Sequence, residues 1–449
     1  MSTPNPTETA LFQALRSLGG HASGGQLQQR LGISQPTLSR LLAPRVAGGQ
    51  VVAVGAARAR RYLLAREVEG VGRQVRIHAV TSQGELVPFG VLHALAGGGF
   101  WMDEADMAHG SSAFHDSLPW FLYDMRPQGF QGRGFVAAHP ALQLPANLQH
   151  WSDDHILKAL VCAGEDLPGN LVIGTEAFDR FLSLPVPQRT RAPVVDAPEV
   201  QYPVLAAQAL GQTLAGSSAG GEQPKFSAVR HGHAVLVKFS PAVDSPAARR
   251  WRDLLVCEAL ALHTLGEAGV SAAHTELVEA GGRVFLESRR FDRTAQGGRV
   301  GMVSLDVYDR QYIGQGTSWV DTAHRSGQAG PERLLDADVD TLCLLDAFGA
   351  LIANTDRHHG NISLLLHAHR WRLAPAYDML PMLYAPVAGE VVPRDFAARP
   401  PRPSVFTLPV WSRARALALR FWHAVALDAR VSADFRAIAQ ANAETVRAL

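Results

Sequence analysis

The 449-residue chain is short of lysine. It has three, at positions 158, 225 and 238, so 39 of its 42 basic residues are arginine. Lysine is normally among the commonest residues. A coding bias accounts for the exchange at ordinary surface sites, where either cation serves. The lysines that remain should mark places that need a compact ammonium, not a planar guanidinium fork. Cysteine is equally scarce. Cys162, Cys257 and Cys343 are odd in number and widely spaced. That excludes a disulfide framework and paired metal-ligand motifs, and it predicts a reducing, cytoplasmic compartment. No apolar run reaches the roughly 18 residues a spanning helix needs. The most apolar stretch, 342–352, is broken by Asp346. Residues 1–9 carry no positive charge and no apolar run, so neither a secretory leader nor a membrane partner is expected.

What is present fits a soluble chain of several domains. Apolar residues make up 47%, enough for sizeable cores. Charge is unevenly placed. Residues 1–66 hold eight arginines and one acid, Glu8, so this segment is formally +7 and the remainder −6. One end is therefore expected to meet a polyanion. Leu11, Leu15 and Leu18 recur at helical spacing before Gly19-Gly20. Ser23 can cap a second helix through Leu27 and Leu31. Gly32-Ile33 makes a turn, and Ser34 can cap a third helix with Pro36 in its first turn. Residues 50–54 and 61–64 read as strands around a basic tip. This order resembles a winged helix-turn-helix over 1–68. In that fold Gln35, Thr37, Ser39 and Arg40 would face DNA base edges, and Arg58, Arg60 and Arg61 of the wing would touch phosphates.

The middle, 69–185, is less readable. Alternating runs between Val71 and Leu95 read as a small antiparallel unit. Residues 114–134 are rich in aromatics and read as a loop packed on a neighbouring domain in preference to a binding surface. Residues 153–163 read as one helix. Five prolines in 184–203 predict an extended connector.

The remaining part, 186–449, carries a phosphoryl-transfer pattern. Asp356-Arg357-His358-His359-Gly360-Asn361 follows an apolar helical stretch. An Asp with an Asn five residues later is the spacing of a kinase catalytic loop. The Asp takes the substrate hydroxyl proton and the Asn carbonyl binds metal. Trp371-Arg372-Leu373 can be the strand leading to Tyr377-Asp378, where a second Asp would hold Mg²⁺. His358, His359, His367 and His369 have no Cys or Glu at zinc-ligand spacing, so His358 is read as a brace for the loop. Upstream, residues 214–225 form a Gly/Ser-rich segment before a strand, where backbone N–H groups can approach phosphate. Lys238 then sits on the apolar strand 234–239. Both Glu258 and Asp253, on a helix over 247–265, could pair with it.

These residues resemble the HipA family of bacterial serine/threonine kinase toxins. The resemblance rests on S-x-x-G-x-Q-x-K (Ser218, Gly221, Gln223, Lys225), R-F-D-R at 290–293, T-D-R-H-x-x-N and P-x-Y-D. It covers roughly 65–449. The winged helix in front is similar to the standalone HipH/YjjJ-like kind. The family implies an α/β (α+β) protein-kinase-like fold of two lobes, about 200–292 and 293–449, behind a small β-rich subdomain. It implies Asp356 as catalytic base and Lys238 on the ATP phosphates. Gly220, Gly221, Glu222, Gln223 and Lys225 would cover the nucleotide. Arg289, Arg290 and Phe291 would contact adenine, with His358 and Tyr377 also in the nucleotide site, and Asn361 and Asp378 on Mg²⁺. Ser218, with Ser217 beside it, would be the autophosphorylated residue. Implied partners are DNA and a protein substrate, in the family a translation component such as an aminoacyl-tRNA synthetase. An antitoxin and a second copy of the chain are further candidates. Two other readings compete: a transcription regulator whose kinase fold senses nucleotide, and a small-molecule or lipid-type kinase.

Overall fold

A computed structural model describes residues 6–104, 113–185, 189–213 and 223–449. The first region has helices α1 (Pro6–Ser17), α2 (Gly24–Leu31) and α3 (Gln35–Ala47). Strands β1 (His21–Ser23), β2 (Val51–Val54) and β3 (Arg61–Leu64) form a sheet in the order β1-β3-β2. Ser23 and Gln26 cap α2 reciprocally, and Gly32 ends it in the left-handed region. Ser34 departs from expectation. Its hydroxyl lies 3.0 Å from Thr37 Oγ1 and bonds no backbone N–H. Pro36, two residues into the helix, removes one of the donors such a cap would meet. Leu11, Leu15, Leu27, Leu38 and Val51 make a core of their own. Gly20 touches the next region: a Cβ there would lie 2.6 Å from the Gly97 nitrogen.

The middle region is a five-stranded antiparallel sheet, order β7-β6-β5-β4-β8. Its strands are β4 (Gln74–Val80), β5 (Leu86–Ala94), β6 (Phe100–Glu104), β7 (Ala113–His115) and β8 (Leu171–Ile173). Helices α4 (Gly129–Ala138), α5 (Asp153–Ala163) and α6 (Thr175–Ser183) accompany it. The aromatic segment, expected as a loop packed on a neighbouring domain, is more regular than a loop. Trp120–Met125 is a 3-10 turn that leads toward α4. Trp120 packs edge-on against Tyr312 and Trp371 of the last region.

The expected extended connector stops early. Helix α7 (Pro198–Thr213) contains two of its five prolines. Pro198 occupies the first turn, where no N–H is needed. Tyr202 and Ala206 of α7 are fully buried against Phe226, Phe239 and Phe285. That burial holds the helix despite Pro203.

The last region has two lobes. The first is a four-stranded antiparallel sheet, order β11-β12-β10-β9, with β9 (Lys225–Arg230), β10 (His233–Phe239), β11 (Thr275–Ala280) and β12 (Arg283–Arg289). Helix α8 (Pro246–Glu267) packs on it. The second lobe has strands β13 (Met302–Ser304), β14 (Ser363–His367) and β15 (Arg370–Leu373). Its helices are α9 (Leu305–Tyr308), α10 (Trp319–Arg325), α11 (Asp336–Leu351), α12 (Trp411–Leu427) and α13 (Ala433–Arg447). One large apolar core joins α8, α11, α12 and α13. This two-lobed arrangement is protein-kinase-like. No helix among the described residues is long and apolar enough to cross a membrane.

Candidate active site

Strand β10 alternates. Val235, Val237 and Phe239 enter the core under α7, so Lys238 faces the opposite side, toward α8. There Trp251, Leu255 and Glu258 share one helix face at i, i+4 and i+7. Lys238 Nζ donates to Glu258 Oε1 at 2.7 Å and Oε2 at 2.9 Å, and it also meets the Asp378 carboxylate. The Asp378 backbone N–H donates to Glu258 Oε1 at 3.2 Å. Glu258, 2% exposed, therefore orients both the lysine and the start of the Asp378 segment. Burial pushes the Lys238 ammonium below its usual pKa, and Glu258 opposes that shift. Asp253 has another task. Its carboxylate accepts from Ser432 N and Oγ, both at 2.7 Å, at the start of α13.

The catalytic-loop candidate follows α11. Ala353 takes a left-handed backbone, at φ +59°, and turns the chain. Asn354, 1% exposed, then bridges two segments. Its Oδ1 accepts from Asp356 N at 2.9 Å, and its Nδ2 donates to Asp378 O at 3.3 Å. Asn361 Nδ2 donates to Asp356 O at 2.9 Å, which leaves the Asn361 carbonyl oxygen for another partner. His358 braces the loop: its Nδ1 accepts from Gly360 N at 3.0 Å, and its carbonyl accepts from Trp319 Nε1 at 2.8 Å. His359 Nε2 lies 2.9 Å from Thr322 Oγ1. Arg357 pairs with Asp346 at 3.1 Å.

Lys225, Lys238, Glu258, Asp356, His358, Asn361 and Asp378 line one cavity of about 620 Å³, with Gln223 and Trp251. Gln128, Gly129 and Phe130 of the middle region complete its wall. Gln223 Nε2 donates to Phe239 O at 2.6 Å, so it is anchored to β10. Lys225 and Lys238 are register partners on adjacent strands. Gly220, Gly221, Glu222, Ser217 and Ser218 lie outside the described residues. Among the described residues, no cluster of three or more His, Cys, Asp or Glu side chains could hold a metal by itself. A cation held by Asp378 and Asn361 would take its remaining oxygens from water or a ligand.

Four expected nucleotide contacts are not among the cavity-lining residues. Arg289 is the exposed end of β12, and its N–H donates to His274 O. Arg290 is committed to Asp292 at 2.8 and 3.0 Å. Phe291 packs on the Tyr377 ring at 5.7 Å. The Tyr377 hydroxyl lies 2.8 Å from Ser363 Oγ and donates to Gly360 O at 3.0 Å, so it supports the loop from beneath. Sequence reasoning missed Asn354, whose local signal is an Asn two residues before the Asp, an Asx-turn spacing. It preferred domain packing to a binding surface for residues 114–134, yet Gln128–Phe130 of that segment line the cavity.

At the other end of the chain, Gln35, Ser39 and Arg40 are exposed on α3 and Thr37 is half-buried. Gln28 donates to the Gln35 side chain. Arg60 and Arg61 are exposed on the wing; the Arg58 side chain lies outside the described set. Among the described residues, two of the arginines of 1–66 are paired with acids. Arg45 pairs with Glu8 at 2.5 Å, and Arg66 grips Asp154 of α5 at 2.6 and 2.7 Å.

Comparison with known proteins finds family matches for the middle and last regions. Residues 71–182 match the "YjjJ-like toxin, middle domain" family, and residues 217–447 match the "HipA-like C-terminal domain" family. The chain is 35% identical over 439 residues to the Toxin YjjJ of Escherichia coli (strain K12), covering 96% of each. Its fold is similar to a chain of the Shewanella oneidensis MR-1 HipA–HipB–operator DNA complex. That match has a TM-score of 0.53 and 15% identity, and covers 83% of this chain and 96% of the other.

Proposed function

The chain belongs to the HipA/YjjJ-like toxin family, and from that premise we propose that it is an Mg-ATP-dependent serine/threonine protein kinase carrying its own DNA-binding domain. One observation carries the reading. A buried lysine, its glutamate partner, two further carboxylates and an asparagine carbonyl share one cavity. Lys238, held by Glu258, is placed to exchange its Asp378 contact for phosphate oxygens. Asp378 and Asn361 offer hard oxygen donors of the kind Mg²⁺ prefers, with phosphate supplying others. When bound, the metal neutralises charge developing on the transferred phosphoryl group. Asp356 accepts the proton of a serine or threonine hydroxyl. The segment 220–225 would cover the nucleotide.

Autophosphorylation at Ser218 would disable that covering segment. The winged helix would bind operator DNA, with α3 in the groove and the wing on phosphates. This would let the toxin regulate its own transcription. The Shewanella HipA partners HipB and operator DNA; an antitoxin and a translation component as protein target are the corresponding proposals here. The test is incubation with labelled ATP and Mg²⁺. Label should enter serine or threonine of the chain itself or of an added protein. Asp356→Asn should lower the rate by roughly 10²–10⁴-fold, the contribution expected of a general base. No incorporation into any protein, with DNA binding intact, overturns the kinase reading.

A further inference from the structure

The 3-10 turn Trp120–Met125 belongs to the middle region but docks on the second lobe of the kinase-like region. Trp120 lies against Tyr312 and Trp371 at 5.5 and 6.1 Å. The Tyr123 hydroxyl accepts from Arg310 at 3.2 Å. Between these anchors Asp124 reaches in and accepts two bonds from one residue: Ser304 N at 2.5 Å and Ser304 Oγ at 3.0 Å. A carboxylate with two protein donors is geometrically fixed.

The contact leads on to the catalytic loop. Ser304 of β13 stands opposite Ser363 of β14 in the antiparallel register. The next residue, Leu305, donates its N–H to Ile362 O at 2.8 Å. The Tyr377 hydroxyl has one proton, given to Gly360 O at 3.0 Å, so Ser363 Oγ donates to it across 2.8 Å. Gly360 precedes Asn361, whose amide holds the Asp356 carbonyl. A continuous path of short bonds and paired backbone thus runs from Asp124 to the loop bearing the proposed base.

We infer that Asp124 is a positioning residue for the 356–361 loop, so that the middle region is a working part of the kinase and not only an appendage. The inference rests on the kinase reading for its catalytic consequence, not for its structural one. Simple adhesion between two domains is the competing role. It predicts that loss of Asp124 loosens the interface without selectively loosening a loop on the far side of β14.

The test uses the full chain with three variants: Asp124→Asn, Ser304→Ala and Tyr377→Phe. The asparagine is isosteric but presents a donor where the carboxylate accepts. Ser304→Ala keeps the backbone bond to Asp124, removes the hydroxyl bond together with the cap it gives Val307 N of α9 at 3.2 Å, and serves if Asp124→Asn folds poorly. Two readouts are taken. Amide hydrogen exchange at residues 357–362, without nucleotide, should be faster in each variant, while exchange in α11 and α12 stays at the wild-type rate. In the kinase assay kcat should fall by about ten- to hundredfold, as for modest misplacement of a reacting group. KM for ATP should stay within about twofold, because Lys238 and Glu258 are untouched. The double variant Asp124→Asn/Tyr377→Phe should be little worse than the poorer single one, as expected of residues on one path. Unchanged loop exchange in Asp124→Asn overturns the inference, as does a general rise in exchange or full additivity of the two changes. If the wild type transfers no phosphate, the kinase reading falls, and the exchange measurement still decides the link.

Discussion

The Lys238 ammonium sits where three carboxylate oxygens converge at the wall of the cavity. It is 9% exposed and touches both oxygens of Glu258 and the Asp378 carboxylate. A point charge on a flexible stem can meet three oxygens from different directions; a longer, flat fork cannot. Lys238→Arg should therefore fold, with a melting temperature within a few degrees of wild type. It should lose phosphate transfer by on the order of 10²-fold, the scale seen when one electrostatic contact to a transition state is removed. Labelled-ATP incorporation beside a thermal melt checks both halves. Equal turnover in the two proteins would show that the site needs only a positive charge. Lys225 fits the same argument, since it faces the cavity from β9. Lys158 reads from the sequence as an ordinary surface residue. In the fold it is half-buried on α5 and paired to Glu69 at 2.8 Å.

Among the elements, the N-terminal sheet and its wing carry a prediction that kinase chemistry does not touch. Arg60 and Arg61 are exposed on the wing, whereas Arg45 and Arg66 are tied up by acids. Arg60→Ala and Arg61→Ala should each weaken DNA binding about equally across sequences. Each should also flatten the slope of log K against log salt by about one. Arg66→Ala should leave that slope as it is. Anisotropy titrations over a salt series read these slopes directly, and an unchanged slope in both wing variants would remove the wing from the DNA contact. Elements such as α2, α5 and the β2–β3 wing were legible because their signals are local: caps, Gly turns, alternation. The choice between Glu258 and Asp253 was not legible. They lie about 140° apart around α8 at 3.6 residues per turn, so helix phase separates them, but which face β10 covers is a tertiary fact. Asp124 and Ser304 are 180 positions apart, and no spacing rule joins them. The proline count misled in 184–203 because the burial of Tyr202 outweighs one lost helix bond.

For the molecule as a whole, the decisive joint is the buried ion cluster between the middle region and the end of β12. Asp292 Oδ2 accepts from Gly169 N at 3.0 Å and from Arg293 at 2.8 Å, while Arg290 grips the same carboxylate. Arg293 reaches on to Asp166 at 3.1 Å and to the carbonyls of Leu167 and Gly169. Burial works to raise both carboxyl pKa values. For Asp292 the guanidiniums of Arg290 and Arg293 outweigh it, and for Asp166 those of Arg293, Arg290 and Arg299 do, so both end below the usual carboxylate range. The sign follows. A depressed pKa contributes stability that is complete above the unfolded value, about 3.9, and that drains away as pH falls through the folded value. The joint should therefore be at full strength from neutral pH down to about pH 4 and weaken below it. Asp292→Asn removes one carboxylate from among three buried arginines and leaves Asp166 to face all three. Breaking a buried pair in this way costs about 3–5 kcal/mol. Urea unfolding at pH 7 should show that loss in the variant. A second series between pH 4 and pH 2.5 should show a shallower decline than wild type, because one of the two titrating groups is gone. A variant with wild-type urea resistance and an unchanged acid slope would mean that hydrogen bonds to backbone, not these charges, hold the middle region against the kinase lobes.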